Sequence, residues 1–217
     1  MGRIKGDPTH AGKSGPPVSF FFCPAKEDMI MRDIINTDRL ILRKLELSDA
    51  KAFSRLAGEY DVVKMTGSLP YPFPLMSAEF KVMHMRALRS QGLAYPYAIT
   101  LNGRDLIGVA DLFRRDPTAD HELGYWIGMP YWGQGYVTEA MSGLMREAVE
   151  TQHIDNFIAA TWHDNPGSMR VLEKLGFEKE GPNGRFYCMA RLCKVDSIGF
   201  SIESYASLNN TARAIAS

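Results

Sequence analysis

The sequence lacks the features that mark several large classes of protein. Its 217 residues carry 25 basic and 25 acidic side chains, and the formal net charge of zero gives no general attraction to nucleic acid or to an anionic membrane. The longest early apolar run, residues 18–23, is about half the length of a signal-peptide core and follows glycine and proline instead of basic residues. No stretch approaches the length of a membrane-spanning helix. We therefore expect a cytoplasmic protein that binds neither nucleic acid nor membrane.

Cysteine and histidine are also scarce. The three cysteines form no Cys-x-x-Cys pair, and Cys188 and Cys193, five apart in a strand-like run, are expected to point to opposite faces. We predict that they and Cys23 are buried structural thiols in a reducing compartment. The five histidines show no His-x-x-x-His or similar spacing, so we predict no metal site.

Local composition divides the chain into three parts. Residues 1–36 are rich in glycine and proline and predict an irregular N-terminal extension. Residues 37–195 carry the regular patterns and predict one domain, since a chain with 45% hydrophobic residues can bury one sizeable core. Residues 196–217 form a polar tail that is rich in small residues, and they are left unassigned.

Hydrophobic periodicity within the domain predicts about seven strands and about four helices. The predicted strands are residues 40–45, 97–101, 105–113, 122–127, 157–162, 177–180 and 186–194. The predicted helices are residues 49–57, 77–90, 137–151 and 168–175. Residues 60–75, with prolines at positions 70, 72 and 74, predict a long loop. Turns are expected at Asn102-Gly103, Asp116-Pro117 and Pro182-Asn183-Gly184.

A glycine loop between a strand and a helix is the first candidate site. Gly133 and Gly135 occupy alternate positions of the segment 131–140, and such a backbone can turn with its amides converging on an anion. The helix that follows adds its unpaired N–H groups and the positive end of its dipole. Together these features suit a pyrophosphate group, although two glycines also occur in ordinary strand-to-helix turns.

A second candidate element follows the next strand. Asn165-Pro166-Gly167-Ser168 opens a short helix that Gly176 closes ahead of a further strand. Asn165 is expected to cap this helix by accepting hydrogen bonds from its first amides, and Ser168 then lies on the first turn. A helix cap explains Asn165, but it does not explain why this unit follows the glycine loop at this spacing.

This order of elements resembles the GNAT superfamily of acetyl-CoA-dependent N-acetyltransferases. The residues that carry the resemblance are the glycine loop, Asn165-x-x-Ser168 and Lys174-Leu175-Gly176-Phe177. Two further segments resemble its Rim-type branch, namely Thr37-x-Arg39-Leu40-x-Leu42-Arg43 and Gly124-Tyr125-Trp126. The resemblance covers residues 37–194 and implies a GNAT fold, an α/β (α+β) architecture with a mixed, mostly antiparallel central sheet.

The resemblance implies that acetyl-CoA is the co-substrate and that no metal takes part. In this family the pyrophosphate lies on the glycine loop, and the pantetheine arm pairs with the preceding strand as an added strand would. The residues assigned to the cofactor are accordingly Trp126, Ile127, Trp132, Gly133, Gln134, Gly135, Tyr136, Val137, Thr138 and Asn165. Trp132 and Val137 depart from the family's loop pattern, which begins with a polar residue and ends with a small one.

The resemblance also implies direct attack of a neutral amine on the thioester. In Rim-type enzymes the serine of the Asn-x-x-Ser motif serves the leaving thiolate, which assigns the proton donor to Ser168. Glu122 is the candidate general base because it lies on the strand that flanks the cofactor, and a solvated strand residue is the alternative. His163 is a weaker candidate base. Glu139 is expected to complement the dipole of its helix.

The acceptor amine is the least determined feature. Rim-type enzymes acetylate ribosomal-protein N-termini, and neutralising an α-amine at pH 7 costs about 1.4 kcal/mol, against about 4.6 kcal/mol for a lysine side chain. We therefore expect a protein N-terminal α-amine, bound by residues 60–74 and 183–187. A small-molecule amine or antibiotic is the alternative acceptor. A non-catalytic acetyl-CoA-binding module is the alternative of another class, and a homodimer is an open option.

Overall fold

The computed structural model describes residues 31–115 and 118–205, which form eight strands and five α-helices. The strands are β1 (Ile34–Asn36), β2 (Ile41–Lys44), β3 (Tyr97–Thr100), β4 (Leu106–Phe113), β5 (His121–Ile127), β6 (Phe157–Trp162), β7 (Glu178–Cys188) and β8 (Cys193–Ile202). The helices are α1 (Ala50–Ala57), α2 (Tyr60–Val63), α3 (Leu75–Ser90), α4 (Tyr136–Gln152) and α5 (Pro166–Lys174). Cys23 and the predicted Asp116-Pro117 turn lie outside the described residues.

All eight described strands belong to one sheet, in the order β1-β2-β3-β4-β5-β6-β8-β7. Neighbouring strands are antiparallel except β5 and β6, which run parallel. The predicted mixed, mostly antiparallel sheet is thereby confirmed. The sequence did not predict β1, which pairs with β2 inside the segment expected to be irregular. It also missed β8 as a separate strand, because the predicted last strand, residues 186–194, spans the turn between β7 and β8.

The parallel pair β5–β6 is short and then opens. Backbone pairing covers only residues 121–123 of β5, opposite residues 157–159 of β6. Within the described chain, β5 then continues to Ile127 and β6 to Trp162 without pairing to each other. The central sheet therefore contains a gap with a strand edge on each side.

Side chains of the central strands alternate between two packed faces. On one face, Leu112 of β4 packs in the same buried cluster as Leu144 of α4. On the other face, Trp126 of β5 stacks on Phe53 of α1, with ring centroids 4.7 Å apart. Because the side-chain period of a strand is two, Tyr125 lies on the α4 face of β5 and Trp126 on the α1 face.

The helix α1 has the amphipathic pattern that the sequence predicts. Its core-facing residues Ala50, Phe53, Leu56 and Ala57 are all buried, and the helix ends at Gly58. The predicted long loop that follows is not entirely irregular, because it contains the single-turn helix α2. These two helices and α3 cover the α1 face of the sheet.

The predicted two-residue turn at Asn102-Gly103 is wrong, because a loop of residues 101–105 joins β3 to β4. Asn102 Oδ1 accepts hydrogen bonds from the N–H groups of Arg104 at 2.9 Å and Asp105 at 3.0 Å. The register also shifts between Ile99 and Thr100. A side chain that bonds to the backbone ahead of it makes a longer turn than the Asn-Gly pair alone indicates.

The predicted turn at Pro182-Asn183-Gly184 is also wrong, because β7 runs through it. The ladder to β8 is irregular here, with register shifts before Gly181 and after Pro182, so the strand absorbs these residues instead of reversing. The chain reverses later, between Cys188 and Cys193, which are paired across the hairpin. Cys188 is buried but Cys193 is exposed, so the prediction that both are buried thiols of one strand fails.

The regular structure extends past the segment boundaries expected from composition. The strand β1 begins before residue 37, and β8 continues beyond residue 195 to Ile202. Tyr205 is buried and packs edge-to-face on Phe157 of β6, with ring centroids 5.9 Å apart. The first residues of the predicted polar tail therefore belong to the core.

Candidate active site

A cavity of about 1080 Å³ opens at the gap between β5 and β6. Its walls contain Ser168, Glu122 and every residue that the sequence assigned to the cofactor except Gln134. Those residues are Glu122, Trp126, Ile127, Trp132, Gly133, Gly135, Tyr136, Val137, Thr138, Asn165 and Ser168. The fold brings them together because the end of β5, the glycine loop and the start of α5 all border this gap.

The glycine loop has the backbone conformation for which glycine is suited. Gly133 and Gly135 have φ angles of 74° and 80°, in the left-handed region that other residues rarely adopt. The helix α4 begins at Tyr136, and the Glu139 N–H bonds to the Gly135 carbonyl at 3.1 Å. The N–H groups of residues 136–138 are therefore not used inside the helix. A Cβ added at Gly133 would meet nothing within 4 Å, so this side of the loop is open to a ligand.

Arg39 and Glu139 tie the loop to the first hairpin of the sheet. Glu139 accepts hydrogen bonds from Thr37 Oγ1 at 2.6 Å, the Arg39 N–H at 2.7 Å and Arg39 Nε at 2.6 Å. Arg39 Nη1 donates to the Gln134 carbonyl at 2.9 Å, and its guanidinium lies over the Tyr136 ring. Burial acts to raise the pKa of Glu139, but the Thr37 and Arg39 hydrogen bonds hold it below its ordinary value. Glu139 was expected only to complement the dipole of its helix. It also binds Arg39, 100 positions earlier in the chain.

Two side chains hold the loop from within. Trp132 Nε1 donates to the Ile127 carbonyl at 2.8 Å, and Gln134 Nε2 donates to the Pro130 carbonyl at 3.0 Å. The tryptophan that departs from the family's polar pattern thus fastens the loop to the last residue of β5. Gln134 contributes to the loop's structure and not to the cavity wall.

The strand β5 presents a backbone edge to the cavity beyond Leu123. Its residues 124–127 pair with β4 on one side and, in the described chain, with no strand on the other. Backbone N–H and C=O groups on such an edge pair readily with an extended ligand that carries amides. Trp126 and Ile127 lie on this stretch, as predicted for the strand that receives a pantetheine arm.

Two basic side chains of α5 were missed by the sequence-based assignment. Arg170 and Lys174 are one helical turn apart, exposed, and line the cavity. Positive charge at the same opening as the glycine loop suits a ligand with several phosphates. The spacing of four residues on the helix opened by Asn165 was the signal that could have identified them.

Ser168 forms a hydroxyl pair with Tyr125 of β5. The two oxygen atoms are 2.7 Å apart, and either can donate. Asn165 Oδ1 accepts the Ser168 N–H at 3.1 Å, which confirms the predicted helix cap. The cap thus fixes the backbone of Ser168 while Tyr125 fixes its hydroxyl. The sequence did not predict a role for Tyr125, because its partner Ser168 lies 43 residues later in the chain.

Tyr125 stays protonated under ordinary conditions. Burial raises the pKa of Tyr125 to about 12, although the hydrogen bond with Ser168 acts in the opposite direction. A neutral phenol that donates to Ser168 Oγ leaves the serine proton available to a third atom in the cavity. The pair can therefore act as a short proton relay.

Glu122 lies in the cavity wall but is held by an ion pair. Arg115 Nε donates to Glu122 Oε2 at 2.8 Å and Arg115 Nη2 donates to Oε1 at 3.1 Å. The glutamate side chain is 12% exposed and the arginine side chain 67% exposed. Both carboxylate oxygens of Glu122 therefore already accept hydrogen bonds from arginine.

His163 does not lie in the cavity wall. Its side chain is exposed, and Nδ1 lies 3.4 Å from the Asp196 carbonyl. This weaker candidate base is therefore not among the residues that line the cavity with the hydroxyl pair. No group of three or more metal-binding side chains occurs in the described ranges. No helix among the described residues is both long and apolar enough to cross a membrane.

The α1 face of the cavity carries unpaired polar groups. Asp111 of β4 lines the cavity, and its Oδ1 atom is buried and accepts no hydrogen bond from a described residue. The indole Nε1 atoms of Trp126 and Trp162 are buried and donate to no described residue. Polar groups left in this state are expected to meet a ligand, because an unpaired buried donor or acceptor is costly.

A glycine loop at a helix N-terminus, a strand edge and a hydroxyl pair meet in one cavity, which is the arrangement expected of an acyltransferase that uses an acyl-CoA. Residues 39–178 match the family described as the acetyltransferase (GNAT) domain. The chain belongs to the GNAT family and is an acetyl-CoA-dependent N-acetyltransferase. The predicted fold and enzyme class are confirmed, which excludes the alternative of a non-catalytic acetyl-CoA-binding module.

Similar proteins include bacterial N-acetyltransferases. The uncharacterized N-acetyltransferase p20 of Bacillus licheniformis is 27% identical over 151 residues, which cover 69% of this chain and 84% of that protein. The ribosomal protein uS5-alanine N-acetyltransferase of Escherichia coli (strain K12) is 35% identical over 94 residues, 42% of this chain and 48% of that protein. RimJ of Mycobacterium smegmatis, in complex with a CoA disulfide, has a TM-score of 0.68 at 19% identity, covering 82% of this chain and 92% of that chain. The last comparison supports the fold.

Acetyl-CoA fits the residues that surround the cavity. The open side of Gly133 and the unused amides of residues 136–138 suit the pyrophosphate, and Arg170 and Lys174 add positive charge. The edge of residues 124–127 suits the amides of the pantetheine arm. Bound there, acetyl-CoA supplies the thioester.

Proposed function

We propose that this enzyme acetylates the α-amine at the N-terminus of a protein. The observation that carries the proposal is the pair of unpaired indole N–H groups, Trp126 and Trp162, in the same cavity as acidic side chains. The first peptide carbonyls of an acceptor chain would accept those hydrogen bonds, while a carboxylate faces its single positive charge. The name of the Escherichia coli relative, which acts on an alanine of a ribosomal protein, agrees with this acceptor class.

The charges of the α1 face argue against a polyamine acceptor. Asp111 and Glu122 are the acidic residues of this wall, and they are accompanied by Lys81, Arg114 and Arg115. A polyamine carries several positive charges and would meet repulsion from such a wall. A peptide N-terminus carries one positive charge next to neutral amides, which suits a wall that has both acidic and basic side chains.

We propose that Ser168 gives a proton to the leaving thiolate, assisted by Tyr125. The free thiol of a coenzyme resembles cysteine, with a pKa of about 8.5, so a positioned hydroxyl can stabilise the departing sulfur. We also propose that the cofactor contacts Trp126, Ile127, Asn165 and the loop 132–138. All of these residues except Gln134 line the cavity, which supports the proposal. Glu122 is the base expected from the sequence, and its pairing with Arg115 limits that role.

A small-molecule amine is the second candidate acceptor. The stacked rings of Phe53 and Trp126 give the wall an aromatic surface, which suits a ring-bearing amine as well as a peptide. Such an acceptor would also use the indole N–H groups. The two candidates differ in whether backbone amides next to the amine contribute to binding.

Free thiol release from acetyl-CoA, measured across an amine panel, tests the proposal. The panel contains peptides that begin with alanine or serine, the same peptides with a blocked N-terminus and an internal lysine, a polyamine and an aminoglycoside. We expect turnover with the free peptides and none with the blocked ones. Turnover confined to the small amines would refute the peptide acceptor. The Gly135→Val variant, which should not bind the cofactor, corrects for uncatalysed acetylation.

A further inference from the structure

Asp111 is the acidic side chain of the cavity that has no assigned role. It lies near the end of β4, directly opposite Gly124 of β5. Residues paired in this way share a face of the sheet, so Asp111 lies on the α1 face with Trp126. Part of the residue is exposed to the cavity, while its Oδ1 atom is buried and accepts no hydrogen bond from a described residue.

The position of Asp111 relative to Glu122 follows from the register. Glu122 pairs with Phe113, so the two carboxylates are diagonal neighbours on one face, about 7–8 Å apart between Cα atoms. They differ in their partners, because Glu122 is bound by Arg115 at two points and Asp111 Oδ1 is bound by nothing described. The Oδ1 atom of Asp111 is therefore free to accept a hydrogen bond from an ammonium group.

Gly124 leaves the path from Asp111 to the reaction centre open. It follows Leu123, the last residue of β5 that pairs with β6, and so stands where the gap begins. A Cβ at this position would lie 3.1 Å from the Phe113 ring and 3.9 Å from Asp111 Cβ. A side chain here would crowd the space beside the carboxylate, whereas glycine keeps it clear.

The acid and base sides of the site then lie on opposite faces of β5. Tyr125 points to the face of α4 and holds Ser168, while Asp111 lies on the face of α1. An amine that approaches from the α1 face reaches a thioester at the strand edge from the side opposite the hydroxyl pair. Attack and departure can therefore be served by different groups without interference.

We propose that Asp111 is the general base, which holds the acceptor's ammonium group and takes its proton. The inference rests on amine acetylation but not on which amine is the acceptor. Asp111 removes one proton from R–NH₃⁺, and the nitrogen lone pair forms the N–C bond. The C–S bond breaks with its electron pair on sulfur, and Ser168 passes a proton to the thiolate. The second N–H proton leaves to solvent, from which Ser168 regains the proton that it gave, and Asp111 returns its own proton to solvent.

The surroundings of Asp111 tune this carboxylate for proton transfer near neutral pH. Burial raises the pKa of Asp111 to about 7, and the nearby charge of Lys81 opposes the rise. Lys81 donates to Ser68 Oγ at 3.1 Å, and burial lowers its own pKa. The other titratable or charged groups that face this region are His84 and Arg89 of α3, Glu122 of β5, and Arg114 and Arg115 after β4.

The test compares Asp111→Asn with Glu122→Gln, using the best acceptor from the amine panel. We expect Asp111→Asn to lower kcat/KM roughly a hundredfold or more and to remove the rise in kcat/KM through pH 7. We expect Glu122→Gln to keep that rise. An analogue of the acceptor with a fluorinated side chain, neutral at pH 7, should lose much less activity with Asp111→Asn. An Asp111→Asn enzyme whose kcat/KM lies within threefold of wild type, or whose kcat/KM still rises through pH 7, would overturn the proposal.

Thermal unfolding gives a readout that needs no acceptor. An aspartate with a raised native pKa weakens the fold most above about pH 7, and the penalty vanishes toward about pH 4, where both states are protonated. Asp111→Asn should therefore raise Tm at pH 8, by an amount that shrinks as the pH falls. A lower Tm at pH 8, or failure to fold, would show that Asp111 has a structural partner and would also refute the proposal. If the peptides are not acetylated but another amine is, the peptide proposal fails and the role of Asp111 can still be tested. The kinetic comparison then uses that amine, and the Tm comparison needs no acceptor.

Discussion

The Ser168–Tyr125 pair allows the proposed proton relay to be tested by single-atom changes. Ser168→Ala removes the hydroxyl, and we expect kcat to fall roughly tenfold to a thousandfold, equivalent to about 1.4–4 kcal/mol of lost transition-state stabilisation. The KM for acetyl-CoA should change little, because the loop amides remain. The stability cost should be only about 1 kcal/mol, since Tyr125 Oη can still donate to the Ser168 carbonyl, 3.3 Å away.

Tyr125→Phe provides the matched variant. It removes one hydrogen bond but keeps the Ser168 hydroxyl, so we expect a loss of kcat of about two- to tenfold. Because Tyr125 acts through Ser168, the double variant should be no slower than Ser168→Ala alone. Single-turnover acetyl transfer, measured beside KM for acetyl-CoA, separates the chemical step from binding.

Two outcomes would refute this reasoning. A Ser168→Ala enzyme within a factor of two of wild type would show that water or another group serves the thiolate. Losses that multiply in the double variant would show that Tyr125 acts independently. Asn165→Ala is the comparison for lost stability, because loss of the cap should cost about 1 kcal/mol, as Ser168→Ala does. An equal loss of kcat in the two variants would show that stability, and not the hydroxyl, accounts for the effect of Ser168→Ala.

The cofactor loop supports three more predictions. Gly135→Val places a β-branched residue at a φ of 80°, with its Cβ 3.4 Å from Arg39 Nη2. It should abolish the rise in Tm that saturating acetyl-CoA gives the wild type, and an unchanged rise would place the cofactor elsewhere. Glu139→Ala should lower Tm and raise KM for acetyl-CoA. Glu139→Gln can still accept a hydrogen bond from the Arg39 N–H, so its changes in Tm and KM should be smaller. Equal changes in the two variants would show that the bond to Arg39 does not hold the loop. Trp132→Phe loses the bond to the Ile127 carbonyl and should raise KM about two- to tenfold with kcat unchanged; a change in kcat alone would argue against a binding role.

The parts of the site that the sequence predicted depend on short-range geometry. The positive φ angles of Gly133 and Gly135 and the cap by Asn165 are set within a few residues, so motif and spacing are enough to locate them. The helix α1 was predicted for the same reason, because its apolar period is local. Such features do not depend on which strands become neighbours.

The parts that were missed depend on contacts between distant segments. The role of Tyr125 requires that β5 and α5 meet, and that of Asp111 requires the register that places it opposite Gly124. The bonds between Arg39 and Glu139 join residues 100 apart, so neither residue reveals its partner by itself. The turn expected at residues 182–184 failed for a related reason, since pairing with β8 prevails over local turn preference.

The gap between β5 and β6 also bears on how long the protein survives in a cell. Strand edges invite other chains to add to them, and residues 124–127 form such an edge in the middle of the sheet. A coenzyme bound as we propose would cover that edge and stabilise the native state, which would reduce the population accessible to proteases and to self-association. We therefore expect the enzyme's half-life in the cell to lengthen as the coenzyme A pool grows and to shorten when the coenzyme is scarce.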